Sequence, residues 1–267
     1  MKEYILTTSV TEEYRLKRQH DLWLYDTIEI WKEAKINQSH QILELGAGPG
    51  FSTLDLARYL GQEANVTAIE LAENFAKICQ NRLAEYKNVK VICDDLLKMN
   101  LPENHFDAIY GRWIFMFLPN LDQLIAKLVK SIRPGGKIII QEYVDYDSMA
   151  LYPINDDFQI IIKKIIKSFN DSGGNASVMQ ILPQLIEKNK MKINYFAPKS
   201  KIVRPIDPFW DWPTQFYASY LPTMATNGII TEEEKNHFLI HWQNAKNNPG
   251  IFWIGPTMGH LIAEKAS

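Results

Sequence analysis

Between residues 40 and 143 the chain alternates short, almost wholly apolar runs with amphipathic runs of about a dozen residues, and no other feature restricts its fold as strongly. HQILEL (40–45), NVTAIE (65–70), NVKVIC (88–93), HFDAIYG (105–111) and KIIIQEY (137–143) read as strands. FSTLDLARYLG, residues 73–86 and residues 120–132 read as helices, the first ending at Gly61 and the last stopped by Pro134, Gly135 and Gly136. Alternation of this kind implies βαβ units and a parallel sheet. Strands that are apolar on both faces imply helices packed on both sides.

The flanks read differently. Residues 11–35 predict one amphipathic helix, with Leu16, Trp23, Ile30 and Ala34 at helical spacing. After Asp145 a helix is expected over 153–171, on Phe158, Ile161, Ile162, Ile165, Ile166 and Phe169, with Lys163, Lys164 and Lys167 on a solvated face. A further helix is expected over 177–189, and strands over 191–204 and 257–264. The segment 207–253 is rich in Trp, Phe and Tyr, and reads as a lid, a subunit interface or plain core. Within it DPFWDWP predicts a rigid loop.

The stretch Glu44-Leu45-Gly46-Ala47-Gly48-Pro49-Gly50 stands directly after a strand and before a helix. Glycine is needed where a ligand approaches the backbone or where φ is positive, and such a loop presents amides at a helix N-terminus. A dinucleotide fingerprint G-x-G-x-x-G requires glycine at position 51, which is Phe51. The acid two residues before the first glycine suits a ligand with an ammonium group better than a pyrophosphate. Glu70, at the end of the second strand, is placed to accept both hydroxyls of an adenosine ribose. Asp94, ending the third strand, is a candidate acceptor for an adenine amino group, with the amides of Asp95 and Leu96 near the ring. The competing reading of Asp94 or Asp95 is a cap on the next helical turn. All these positions lie at the carboxyl edge of the sheet, where open α/β folds bind ligands.

ELGAGPG, Glu70, CDDL, FDAIYGRWIFMFLPN and IRPGGKIIIQE, in that order over residues 40–143, resemble the motifs of class I S-adenosylmethionine-dependent methyltransferases. Arg15, Leu16 and Gln19 match an Arg-Leu-x-x-Gln stretch of the small-molecule group that includes quinone-biosynthesis enzymes. The resemblance implies a Rossmann-like three-layer α/β sandwich. Its seven-stranded, mostly parallel sheet would carry an antiparallel last strand (257–264) and a helical cap. It implies a cap over 1–39, a cofactor-binding core over 40–145, and a C-terminal part over 146–267 that completes the sheet and covers the substrate. S-adenosyl-L-methionine is the implied cofactor. Glu44 and the loop Gly46, Ala47, Gly48 and Gly50 would hold its methionine part, Glu70 and Leu71 the ribose, and Asp94, Asp95 and Leu96 the adenine. Arg112 and Gln19 would face the same pocket; otherwise Arg112 is a surface ion pair and Gln19 an exposed helix residue. Asp95 stands where many relatives carry a small residue.

Methyl transfer from a sulfonium is an in-line displacement in which alignment supplies most of the protein's contribution. No catalytic base is assigned: Glu142, Asp145 and Asp147 follow the fifth strand, His260 lies in the last, and all four read more simply as structural. Neither Cys79 nor Cys93 belongs to a CxxC pair, and both read as reduced thiols. No metal-ligand spacing is present. With 29 basic and 31 acidic side chains the net charge is −2, which disfavours a nucleic-acid partner. The expected partners are a small-molecule methyl acceptor and, as one assembly, a second copy in a homodimer. The lack of a signal peptide or a membrane-length apolar run makes the cytoplasm the expected setting. Two other readings stay open: a nucleotide-dependent oxidoreductase, and a protein of this fold that binds the cofactor without catalysis.

Overall fold

Strands β1 (Gln41–Leu45), β2 (Asn65–Glu70), β3 (Val89–Cys93), β4 (Phe106–Arg112) and β5 (Ile132–Asp145) run parallel in the order β3-β2-β1-β4-β5 in the computed structural model, which describes residues 10–154 and 156–266. The sheet continues through β10 (Thr257–Lys265) to the edge strand β7 (Met191–Lys199), and β10 is antiparallel to both its neighbours. This is the seven-stranded sheet with an antiparallel last strand that the resemblance implies. Residue 155, inside the expected 153–171 helix, and residues 1–9 of the expected cap lie outside the described residues.

Alternation along each strand separates two cores. Ile42, Tyr110, Ile139 and Ile262 pack with Trp31 of α1 (Val10–Glu33) and Leu56 of α2 (Phe51–Leu60). Leu43, Ile109, Ile138 and Leu261 pack on the other face with Leu124 and Leu128 of α4 (Leu121–Ser131) and Ile162 of α5 (Asp156–Asp171). Each such side chain contributes about 1.5–3 kcal/mol on burial, so this three-layer arrangement follows from the double-sided apolarity of the strands. Helix α3 (Glu73–Arg82) stops four residues short of the expected 86.

The C-terminal third departs further from expectation. The predicted 177–189 helix is a single 3₁₀ turn at Val178–Gln180 followed by α6 (Leu182–Lys188), whose proline sits in the first turn, where no N–H is needed. The predicted 191–204 strand divides: β7 ends at Lys199, and β8 (Ile202–Val203) joins a separate antiparallel sheet with β6 (Ala150–Tyr152) and β9 (Phe252–Ile254), in the order β6-β9-β8. Strands this short carry no readable period. DPFWDWP is not a loop: Pro208–Trp210 is a 3₁₀ turn leading into α7 (Asp211–Thr226), with Pro213 tolerated near the helix start. Helix α8 (Glu232–Ala245) begins at a capping box, in which the Glu234 amide donates to Thr231 Oγ1 at 3.0 Å and the Thr231 amide to Glu234 Oε2 at 2.9 Å. No helix among the described residues is long and apolar enough to cross a membrane.

Candidate active site

A cavity of about 700 Å³ opens at the carboxyl ends of β1 to β5, on both sides of the β1/β4 junction where the strand order reverses. That volume lies within the usual range of small-ligand sites. Gln19, Glu44, Gly46, Ala47, Gly48, Glu70, Leu71, Asp94, Asp95, Leu96 and Arg112 all line it. Gly50 does not; it turns toward α3, where a Cβ would stand 2.6 Å from Cys79 Sγ. Gly50 is therefore small for packing, and with φ +84 it also closes the turn into α2.

Gly48 is the opposite case. Its φ is +56, and nothing stands within 4 Å of where its Cβ would be. The missing side chain leaves backbone bare to the cavity. The Gly48 amide donates to Glu70 Oε2 at 2.7 Å, and the Ala72 amide to Glu70 Oε1 at 2.8 Å. Burial pushes the Glu70 carboxyl upward, and these amides pull it back.

Glu44 is a buried acid on the cavity wall. It is 2% exposed, and its Oε2 has no hydrogen-bond partner among the described residues. Burial raises its pKa to about 7, against the hydroxyls of Thr53 and Ser52 and the charge of Arg112. A buried carboxylate oxygen left without a donor is expensive, and either protonation or a donor on a ligand relieves the cost.

Asp95 takes the capping role: its Oδ1 accepts from the Leu97 amide at 2.9 Å, and its other oxygen pairs with Lys98 at 3.2 Å. Among the described residues Asp94 accepts from the adjacent Asp95 amide at 2.7 Å and from no other donor, and it is exposed at the cavity wall. Gln19 is buried rather than exposed, with its carbonyl oxygen accepting from Arg15 at 2.8 Å and from Trp212 Nε1 at 3.2 Å. Arg112 is no surface ion pair. It donates to Thr27 Oγ1 and to His20 Nδ1, each at 2.8 Å. Since arginine only donates, His20 Nδ1 accepts, and its proton lies on Nε2, donated to Asp55 Oδ2 at 2.8 Å. Burial lowers the His20 pKa, which agrees with a neutral ring.

The considered bases lie elsewhere. Glu142 is fully buried, accepts from the Phe115 amide at 2.7 Å and is pushed up to about 8 by burial. It anchors the 3₁₀ turn at Phe115–Phe117 and is not on the cavity wall. His260 is buried in β10 against Gln141 Nε2 at 2.9 Å. Asp145 and Asp147 are not on the wall either.

Residues 43–140 match the family model described as "Methyltransferase domain". The match supports a methyltransferase domain of the class I, S-adenosylmethionine-dependent kind over these residues. Among curated proteins, phosphoethanolamine N-methyltransferase 3 of Arabidopsis thaliana is 35% identical over 105 residues, covering 38% of this chain and 21% of that protein. The ubiquinone/menaquinone biosynthesis C-methyltransferase of Azotobacter vinelandii is 23% identical over 142 residues, covering 52% of this chain and 55% of that protein. The matched regions thus span between about a fifth and about half of these relatives' own lengths. Among solved structures, phosphoethanolamine N-methyltransferase 2 of Haemonchus contortus, in complex with phosphomonomethylethanolamine and S-adenosylhomocysteine, superposes with a TM-score of 0.57 at 14% identity, over 91% of this chain and 53% of that one. That likeness establishes a shared fold.

Residues 43–140, Trp113 among them, supply part of the cavity wall, and segments on both sides of them in sequence supply the rest; His20, on that wall, was not singled out by any sequence pattern. His20 and Thr27 lie on a buried polar stripe of α1, which an apolar period does not reveal. Trp113 adopts φ +52 directly after β4 and lines the cavity, flanked by Tyr143 and Trp212. Tyr143 and Tyr146 line it past the end of the β5 core.

Proposed function

We propose that this chain transfers a methyl group from S-adenosylmethionine to a small-molecule acceptor. The observation that carries the reading is Glu44: a buried carboxylate with an oxygen that has no hydrogen-bond partner among the described residues, lining the same cavity as the bare backbone of Gly48, within the segment that matches a methyltransferase domain. When bound, the sulfonium supplies an electrophilic methyl carbon and a neutral thioether leaving group.

In this reading Glu44 takes the ammonium of the methionine part, and the backbone from Gly46 to Gly48 lies along it. Glu70 takes the ribose hydroxyls, with Leu71 beside it. Asp94 takes the adenine amino group, with the amides of Asp95 and Leu96 next to it. Arg112 and Gln19 close the methionine end. The cap over 1–39 and the cover over 146–267 exclude water from the core over 40–145. Holding the reactants in line contributes on the order of 7–11 kcal/mol to the barrier reduction, so no dedicated base is required. Arg15, Leu16 and Gln19, which support the grouping with quinone-biosynthesis enzymes, all reach the cavity.

The same reading has no nucleic-acid partner, because basic and acidic side chains nearly balance. It includes a homodimer through the open edge of β7, where Phe196 is 49% exposed. It also includes the cytoplasm, where the free Cys79 and Cys93 stay reduced.

Calorimetry with S-adenosylhomocysteine and with NAD tests the binding half: micromolar affinity for the first and poor binding of the second are expected. Equal or tighter NAD binding refutes the reading. Transfer of a labelled methyl group to an extractable small molecule separates an enzyme from a binding protein of the same fold.

A further inference from the structure

The same cavity has an aromatic side, a chamber wall built from the turn after β4, the end of β5 and helices α5 and α7, with Trp253 of β9. Trp113, Tyr143, Tyr146, Trp212, Phe216 and Trp253 dominate its walls. No charged side chain of those segments reaches the cavity among the described residues. The two guanidiniums on its border are engaged. Arg15 is 5% exposed and makes a bidentate pair with the buried Glu12 at 2.7 Å, its third nitrogen going to Gln19. Arg112 is held by Thr27 and His20. A phosphate entering this chamber would lose its hydration without gaining a free counter-charge, at a cost of several kcal/mol.

Ser172 donates to the Phe169 carbonyl at 2.6 Å and the Tyr217 hydroxyl is sealed from solvent, so the hydroxyls that break the apolar wall toward the cavity are those of Tyr143 and Tyr146. Tyr143 and Tyr146 meet edge to face at 4.9 Å between ring centroids. Neither hydroxyl has a hydrogen-bond partner among the described residues, and neither is among the polar atoms sealed from solvent without a partner. Both rings are deeply buried, at 7% and 5% exposure, yet their hydroxyls open onto the cavity. Burial drives both phenols further up from their ordinary range, so they remain protonated donors.

We propose that Tyr143 and Tyr146 hold an oxygen atom of the methyl acceptor, and that this acceptor is an uncharged, largely apolar ring compound. The assignment rests on the methyltransferase reading for the word acceptor, but the chamber and its two donors stand independently of it. Donors placed in an apolar pocket discriminate strongly in favour of a ligand that accepts from them, because an analogue without the oxygen leaves them unpaired.

The test is binding by tryptophan fluorescence or calorimetry, with and without S-adenosylhomocysteine, using 2-naphthol, naphthalene, phosphoethanolamine and phenyltrimethylammonium as probes. The expected order has 2-naphthol first, with no measurable phosphoethanolamine binding. Tyr143→Phe and Tyr146→Phe should each weaken 2-naphthol by about three- to tenfold, a typical hydrogen-bond effect. Naphthalene should be unaffected, which a merely structural role for the hydroxyls would not produce. Tighter binding of phosphoethanolamine or of phenyltrimethylammonium than of 2-naphthol overturns the proposal, as does unchanged 2-naphthol affinity in the double Phe variant. Failure of S-adenosylhomocysteine to bind, with 2-naphthol behaving as expected, overturns the methyltransferase reading and leaves the chamber assignment supported.

Discussion

The Glu70 carboxylate accepts from the Gly48 amide at 2.7 Å, so the end of β2 and the glycine loop after β1 are joined through one side chain. The pairing places the acid and the bare backbone on the same stretch of cavity wall. It also makes Glu70 a structural part of the loop, a second duty beside the proposed contact with the ribose.

Replacing Glu70 tests both duties. Glu70→Ala removes the acceptor for the Gly48 and Ala72 amides as well as the proposed ribose contact. S-adenosylhomocysteine binding should weaken by about 2–4 kcal/mol, while the strand-end position keeps the chain folded. Calorimetry with circular dichroism measures both. Unchanged affinity in a folded variant removes Glu70 from the site.

Gly48→Val should abolish cofactor binding without unfolding the chain. A Cβ here meets no protein atom, so packing tolerates it. The φ of +56 is unfavourable for a β-branched residue, and the added methyls occupy space the ligand needs. Thermal melting and equilibrium binding distinguish the effects: a modest drop in Tm with lost binding is expected. Gly46→Val and Gly50→Val should instead destabilise strongly, since a Cβ would lie 2.8 Å from Ile114 Cδ1 and 2.6 Å from Cys79 Sγ.

Proton release should accompany binding near neutral pH. Glu44 titrates at about 7 because burial disfavours its charge. A bound ammonium favours the carboxylate, so the bound-state pKa falls and a proton leaves. At pH 6 roughly one proton per site is expected, falling toward zero at about pH 8.5. Without ligand the sign for stability is the reverse of a salt-bridged acid. The folded pKa lies above the unfolded value of about 4.5, so Glu44 binds more protons in the folded state, and stability is lost as pH rises through 7. Calorimetry in buffers of different ionisation enthalpy counts the protons. Glu44→Gln should release none, and equal release from this variant would reassign the proton.

The cap and the cover should respond together to cofactor. Arg18 of α1 pairs with Asp211 of α7 at 2.8 Å, Gln19 accepts from Trp212, and Trp23 meets Trp212 edge to face at 5.2 Å. Hydrogen exchange should slow in α1 and in the first turns of α7 when S-adenosylhomocysteine binds. The Trp210–Trp242 stack, 4.2 Å apart and nearly parallel, lies behind the cavity wall and should be protected throughout. Protection of α7 that depends on protein concentration rather than on ligand would make this face an interface.

The parallel core, and the sheet edge where the cavity opens, follow from local features of the chain. Short strands apolar on both faces can be satisfied only between two helical layers, and the glycines with Glu44, Glu70 and Asp94 are local marks at strand ends. Those signals are short in range, and they were readable for that reason. The three-stranded second sheet, the burial of Gln19, the contact of Gly50 with Cys79, and the chamber with Tyr143 and Tyr146 were decided by tertiary structure. Strands of two or three residues have no period. A helix that buries Glu12, Arg15, Gln19, His20 and Thr27 among its apolar residues shows a polar face that pattern alone assigns to solvent. Those groups are buried because distant segments supply partners: Gln19 meets Trp212 across 193 residues of sequence, and Arg112 reaches His20 across 92. A polar side chain can be buried only where such a partner exists, and no local property of the chain announces it.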